Sequence, residues 1–337
     1  MAPLPAAKSA DDIFATLEGF AGRDADWRSG RTFAYVYDPG ADVEDVAKRA
    51  YMRFLTENAL APGAFPSLVR LENEVVGFAL NHLNAPEGAS GSFTTGGTES
   101  CLLAVKTARD YARAAKPHIT RPELILPTTA HAAFHKAAHY FGLKKVLVDV
   151  DPVTFRADPA AIEAAITPNT IQIVASAVSY AYGVLDPVPE IAAIAQKHDL
   201  LFHVDGCIGG FLLPYIERIT GVAKPFDFRV PGVTSMSMDW HKYGYCPKAA
   251  SVVLHRSADL RRFQFFACAE YEGYAIVNPT ILSAKSGGPL AAAWAVINYL
   301  GDEGYLRFVR RIHEATQKVM AGIQAIPGLQ LLAPTDT

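Results

Sequence analysis

Two rhythms of apolar and polar positions alternate along the middle of the chain. Stretches with apolar residues three and four apart are interleaved with short runs that are almost wholly apolar. The first rhythm predicts helices over 68–80, 100–115, 130–141, 159–166 and 187–197. The second predicts strands over 123–126, 145–150, 171–177 and 200–204, followed by two further β-rich runs at 233–238 and 251–254. Strands that are apolar on both faces and alternate with helices indicate βαβ units and a mostly parallel sheet covered on both sides. Before this region, helices are expected over 11–20 and 42–58 around a Tyr-rich extended piece at 33–37. After it, helical spacing returns at 290–300 and 304–323.

Composition narrows the function classes. Of 337 residues, half are hydrophobic and 19% are charged, which suits a large buried core and excludes a disordered chain. Lys and Arg number 31 against 34 Asp and Glu, so no basic surface for nucleic acid or an anionic membrane is expected. The four cysteines have no C-x-x-C spacing, which argues against a disulfide framework or a zinc knuckle. No signal-peptide pattern opens the chain, and no apolar run approaches the length of a membrane helix. These features lead us to expect a soluble, cytoplasmic protein.

Three local patterns carry candidate chemistry. Thr94-Thr-Gly-Gly-Thr-Glu-Ser100 directly precedes a predicted helix. Gly97 and Thr98 there would leave backbone N–H groups open to an anion at the positive end of the helix dipole. The competing reading is an ordinary capped helix, with Glu99 or Ser100 serving its start. Asp205 leaves the carboxyl end of the strand at 200–204, the end where open α/β sheets bind ligands, or else it caps a helix or pairs with a cation. Asp239, His241 and Lys242 follow the run at 233–238, and a lysine behind a buried strand has surroundings that lower its pKa and favour a nucleophilic amine. Together, an anion cradle, a strand-end Asp and a later strand-end Lys are the three handles that pyridoxal 5′-phosphate requires. Gly97 and Thr98 would take its phosphate, Asp205 its ring nitrogen and Lys242 its aldehyde. His131, His135 and His139 stand four apart on the predicted helix, but position 132 is Ala rather than the Glu of an H-E-x-x-H zinc site, and no metal is expected.

The stretches TTGGTES, HAAFHKAAHYFG, DPVPEIA, HVDGCIGGFLLP and PFDFRVPGVTSMSMDWHKYGYCPK resemble those of sphingosine-1-phosphate lyases, in the group II pyridoxal-phosphate-dependent decarboxylase superfamily of fold type I. The resemblance runs from about residue 30 to 312. It implies a three-layer α/β large domain with a mostly parallel central sheet, with Lys242 binding the cofactor and Asp205 partnering its ring nitrogen. It further implies that His131 stacks on the ring, and that His241 and the Gly287-Gly288 turn, the latter from a neighbouring subunit, assist at the cofactor phosphate. Tyr37 falls at an active-site tyrosine and Lys248 where the family binds the substrate phosphate. The implied activity is retro-aldol cleavage of a phosphorylated long-chain amino alcohol to an aldehyde and phosphoethanolamine, in a homodimer with a shared active site.

Departures from the family pattern bear on the substrate. The family's Asn-Pro-Leu-His reads Asn58-Ala-Leu-Ala61 here, so a histidine that contacts substrate is replaced by a side chain that cannot donate. Tyr180-Ala-Tyr-Gly183 stands for Phe-Pro-His-Gly, and Lys285 replaces an Arg, keeping charge but losing the bidentate fork. An amino-acid decarboxylase, which shares the cofactor residues, is therefore the second expectation, and a non-catalytic scaffold the third. By domain, we expect an N-terminal segment at 1–60 contributing to the active site and dimer, a cofactor-binding domain at 61–300, and at 301–337 the start of an incomplete small domain.

Overall fold

The computed structural model describes residues 4–32, 36–333 and 335–337. Contacts divide the chain into two units, Met1–Asp38 and Pro39–Thr337. The first contains helix α1 (Ala10–Ala21), started by Ser9, whose hydroxyl accepts from the Asp12 N–H, and a short turn of 3-10 helix at Trp27–Ser29. Tyr37 belongs to this unit and is half-buried; part of the Tyr-rich extended piece, 33–35, lies outside the described residues.

The second unit opens with α2 (Ala41–Arg53) and α3 (Pro66–His82), then β1 (Ser90–Thr94) and α4 (Gly97–Ala115). The alternation continues through β2 (Glu123–Pro127), α5 (Ala132–Phe141), β3 (Lys144–Val148), α6 (Pro159–Ala164), β4 (Thr170–Ser176), α7 (Val188–Lys197) and β5 (Leu201–Asp205). Then come α8 (Gly209–Thr220), β6 (Ser235–Asp239), β7 (Ser251–His255), α9 (Ala258–Arg261), a hairpin of β8 (Phe266–Cys268) and β9 (Ile276–Asn278), and α10 (Gly288–Gln324). Seven strands form one sheet in the order β1-β7-β6-β5-β4-β2-β3, parallel except where β7 runs against both neighbours.

Both sheet faces are covered, and the side chains divide accordingly. Leu124 and Leu126 of β2 pack with α4 and α5, whereas Ile125 joins the larger core that contains α3, α7, α8 and α10. Burial on both faces explains why β2 and β4 read as continuous apolar runs. This is the expected three-layer architecture. Its consequence for function lies in the register. Ser176 pairs with Asp205, and Asp205 with Ser237, so the carboxyl ends of β4, β5 and β6 finish side by side.

Several expected elements differ. The helix expected to reach residue 58 stops at Arg53, because the chain turns to bridge Asn58 with Ser286. The helix expected from 130 starts at Ala132, with His131 as its N-cap, so His131 is off the helical face of His135 and His139. The two C-terminal helices form one run broken at Gly301, whose φ of 58° and ψ of −178° a side-chain-bearing residue rarely adopts. Strand β1 and helix α8 had no clear apolar signal.

Candidate active site

A cavity of about 190 Å³ opens at the carboxyl ends of β4, β5 and β6. Its walls include Gly97 and Thr98 at the start of α4, His131 at the start of α5, Asp205 at the end of β5, and His241 and Lys242 just beyond β6. The structure thus gathers the sequence-predicted cofactor residues into one site, apart from Gly288. Asp239, Cys101, Cys207 and Tyr180 complete much of the lining.

Asp205 is buried and held by short-range donors. Its Oδ1 accepts from the Cys207 N–H at 3.0 Å and from the Ser237 hydroxyl at 3.0 Å. Burial acts to raise its pKa, but the hydrogen bonds from Cys207 and the positive charge of Lys242 outweigh it, so the carboxyl titrates below its usual range and is ionised at neutral pH.

Lys242 departs from expectation. Burial acts to lower its pKa, yet the Asp239 carboxylate at 2.9 Å and Asp205 together raise it above the ordinary lysine value. The resting lysine is an ammonium, not the amine of depressed pKa inferred from its position behind a buried strand. His241 stands 3.7 Å from the same Asp239 oxygen, and its Nδ1 lies 2.8 Å from the Ala250 carbonyl. Burial pushes its pKa down, against the opposing pull of the Asp239 carboxylate.

The start of α4 has an open first turn. Gly96 has φ 144°, and no side chain caps α4. The first-turn N–H groups of a helix have no partner within it, so this turn keeps donors for an anion. A Cβ on Gly97 would sit 2.7 Å from Asp239 Oδ2 and 2.9 Å from Cys207 Sγ, which leaves room only for glycine. Glu99 does not cap α4, as the competing reading expected, but joins the segments around it. Its Oε2 accepts from the N–H and hydroxyl of Thr95, and its Oε1 from the N–H groups of Ile281 and Leu282. It ties the cradle to the loop before α10.

Three predicted residues lie elsewhere. Lys248 is exposed and off the cavity lining. Gly288 starts α10 against the ring of Tyr51, away from the cavity of its own chain. Tyr37 belongs to the other unit. Sequence reasoning missed the part played by Asp239, whose one signal was its place three residues before Lys242 after a buried strand.

The sequence and the fold have close counterparts. The chain is 39% identical over 323 residues to a sphingosine-1-phosphate lyase of Dictyostelium discoideum, covering 96% of this chain and 61% of that protein. A probable L-aspartate decarboxylase of Pyrococcus furiosus is 30% identical, with 96% of this chain and 84% of that protein covered. The solved structure of a sphingosine-1-phosphate lyase from Burkholderia pseudomallei K96243 superposes with a TM-score of 0.95 at 38% identity, covering 99% of this chain and 79% of the other. The chain spans about three fifths of the length of the curated lyases it matches. Residues 25–335 match the pyridoxal-dependent decarboxylase conserved domain, and the chain belongs to that family.

Proposed function

We propose that the chain is a carbon–carbon lyase that works with pyridoxal 5′-phosphate on a phosphorylated long-chain amino alcohol, releasing an aldehyde and phosphoethanolamine. The observation that carries this reading is the convergence of the Gly97–Thr98 helix start, His131, Asp205 and Lys242 on one cavity. These residues fit the cofactor chemically: helix-start donors for a phosphate, an ionised buried carboxylate for a ring nitrogen, and a lysine within the same walls. When bound, pyridoxal phosphate supplies an aldehyde that captures amines and a ring that accepts the electron pair of the breaking bond.

The protein's own groups divide the remaining work. Asp205 keeps the ring nitrogen protonated, a task for which its ionised state and its fixed bonds to Cys207 and Ser237 prepare it. His131, whose Nδ1 accepts from the Ala133 N–H, would stack on the cofactor ring. The first turn of α4 and His241 would hold the phosphate. Lys242 must lose a proton before its nitrogen can react, and Asp239 Oδ2, 2.9 Å away, is placed to accept it. Tyr37 and Lys242 are the groups we assign to proton transfer at the substrate hydroxyl, and Lys248 to the substrate phosphate. A homodimer with a shared site, in which Gly288 of a second copy reaches the cofactor phosphate and residues 1–60 contribute, completes the proposal. No helix among the described residues is long and apolar enough to cross a membrane; we propose a cytoplasmic location.

Decarboxylation of an amino acid is the second reading. Ala61, which removes a donor the lyases use, and the likeness to a probable L-aspartate decarboxylase favour it. Both readings share the cofactor residues and differ in which bond to the amine carbon is cleaved. The full chain loaded with cofactor, offered phosphorylated long-chain bases and then L-amino acids, separates them. Long-chain aldehyde supports the lyase, carbon dioxide supports the decarboxylase, and bound cofactor with neither product leaves a scaffold. Lys242→Ala should abolish either turnover, and full activity in that variant refutes the site.

A further inference from the structure

The cavity wall carries two cysteine sulfurs to which the proposed chemistry gives no step. Cys101, near the start of α4, and Cys207, two residues past the end of β5, bring their sulfurs to Asp205. Both Sγ atoms and an Asp205 carboxylate oxygen lie within 4.8 Å of one another, and all three residues are buried. Among the described residues, no other three His, Cys, Asp or Glu side chains gather in this way. Asp239 stands beside them. Its Oδ1 is buried without a hydrogen-bond partner, and it and Cys207 Sγ lie 2.8 and 2.9 Å from the point a Gly97 Cβ would occupy.

Two sulfurs and carboxylate oxygens at this spacing form the donor set of a thiophilic divalent cation. Zinc takes thiolates at about 2.3 Å and carboxylates at about 2.0–2.2 Å in four-coordinate sites, a geometry that small side-chain rotations reach from here. We propose that the cofactor-free chain binds one such cation, zinc or cadmium in kind, through Cys101, Cys207 and Asp205. We propose also that cation and cofactor exclude each other, because both take Asp205. The exclusion rests on Asp205 as the partner of the cofactor ring; the cation site does not.

The electrostatics explain why the cluster is inert without a metal. Cys207 is pushed well above the usual thiol range by its contact with Cys101, by burial and by the Asp205 and Asp239 charges. Burial and the same carboxylates also raise Cys101, outweighing its hydrogen bond to Cys207. Both are therefore neutral thiols. A dication reverses that field: two thiol protons leave for solvent and two metal–sulfur bonds form, with no change of oxidation state.

The test titrates the full chain with cadmium ion, cofactor-free and cofactor-loaded, following sulfur-to-metal absorption and proton release. The expected result is one cation and two released protons per chain, with apparent affinity lowered by added pyridoxal phosphate. Cys101→Ala should weaken binding by at least about tenfold, the scale on which even groups that hydrogen-bond to metal ligands act. X-ray absorption of the zinc-loaded wild-type chain needs no variant and should show two sulfur neighbours. Absence of sulfur from the coordination sphere, or undiminished binding by Cys101→Ala, overturns the site; simultaneous binding of cation and cofactor overturns the exclusion. Should the chain hold no cofactor at all, the exclusion falls with the proposed function, while the cadmium and sulfur measurements still decide the cation site.

Discussion

Substituting Gly97 by alanine tests the cradle where the structure is least forgiving. The new Cβ would stand 2.7 and 2.8 Å from the two Asp239 oxygens and 2.9 Å from Cys207 Sγ. Overpacking of this kind costs about 1–3 kcal/mol, whereas alanine in place of a helical glycine returns about 0.5–1 kcal/mol. Asp239 is buried and paired with Lys242, so moving it aside disrupts that ion pair, and the overpacking term dominates. The net loss should reach up to about 2.5 kcal/mol, a fall in Tm of up to about 4 °C for a chain of this size. Because the same methyl protrudes at the phosphate cradle, the Kd for pyridoxal phosphate should also rise at least about tenfold, equivalent to ~1.4 kcal/mol. Gly77→Ala, in α3 with nothing within 4 Å of its Cβ position, is the matched control and should melt at or above the wild-type temperature. Thermal denaturation with and without cofactor reads both effects. A Gly97→Ala protein that melts no lower than wild type and binds cofactor equally well would refute the reasoning.

Other expectations follow from the same contacts. Asp205→Asn should lower kcat by about 10²–10⁴ once cofactor is bound, since the amide cannot stabilise a protonated ring nitrogen; an unchanged kcat removes Asp205 from the chemistry. Burial pushes His203 down to about 4 and His255 down to about 3, so the unfolded chain binds protons below pH 6.5 that the folded chain does not. Stability should therefore fall as pH drops from 6.5 towards 4. His203 contributes about 3 kcal/mol of that loss, while Asp186, pushed up to about 6 by burial, acts in the opposite sense between about pH 4 and 6. His203→Gln should flatten the dependence of Tm on pH across this window, and an unaltered slope contradicts the assignment. Glu99→Ala removes four hydrogen bonds at a buried carboxylate and should cost about 1–3 kcal/mol, seen as a lower denaturant midpoint; no change would show that another group anchors the loop.

The sequence made the architecture readable wherever burial alone chose the residues. Strands β2, β4 and β5 sit between two helical layers, so their apolar runs could hardly be anything else. β1 escaped notice because Ser90-Gly-Ser-Phe-Thr94 is mostly small and polar, and its burial comes from antiparallel pairing with β7 rather than from large apolar side chains. Helix α8 was hidden by its own sequence, since Gly209, Gly210 and Pro214 read as breakers. Gly209 is there because a Cβ would sit 2.5 Å from the Ala177 carbonyl oxygen, a tertiary constraint with no local signal. At the site, Asp205, Lys242, His131 and the glycine turn were legible because each ends or begins a recognisable element. The charge state of Lys242 was not, because it depends on Asp239 and Asp205 meeting it in space. Nor was the Cys101–Cys207 pair, which the chain brings together across more than a hundred residues.

The most direct measurement is borohydride reduction of the cofactor-loaded full chain, followed by mass spectrometry of its peptides. The account predicts one pyridoxyl group per chain, fixed to the nitrogen of Lys242, and its loss in Lys242→Ala. A label on Lys248 or Lys285, or no fixed cofactor at all, would contradict it.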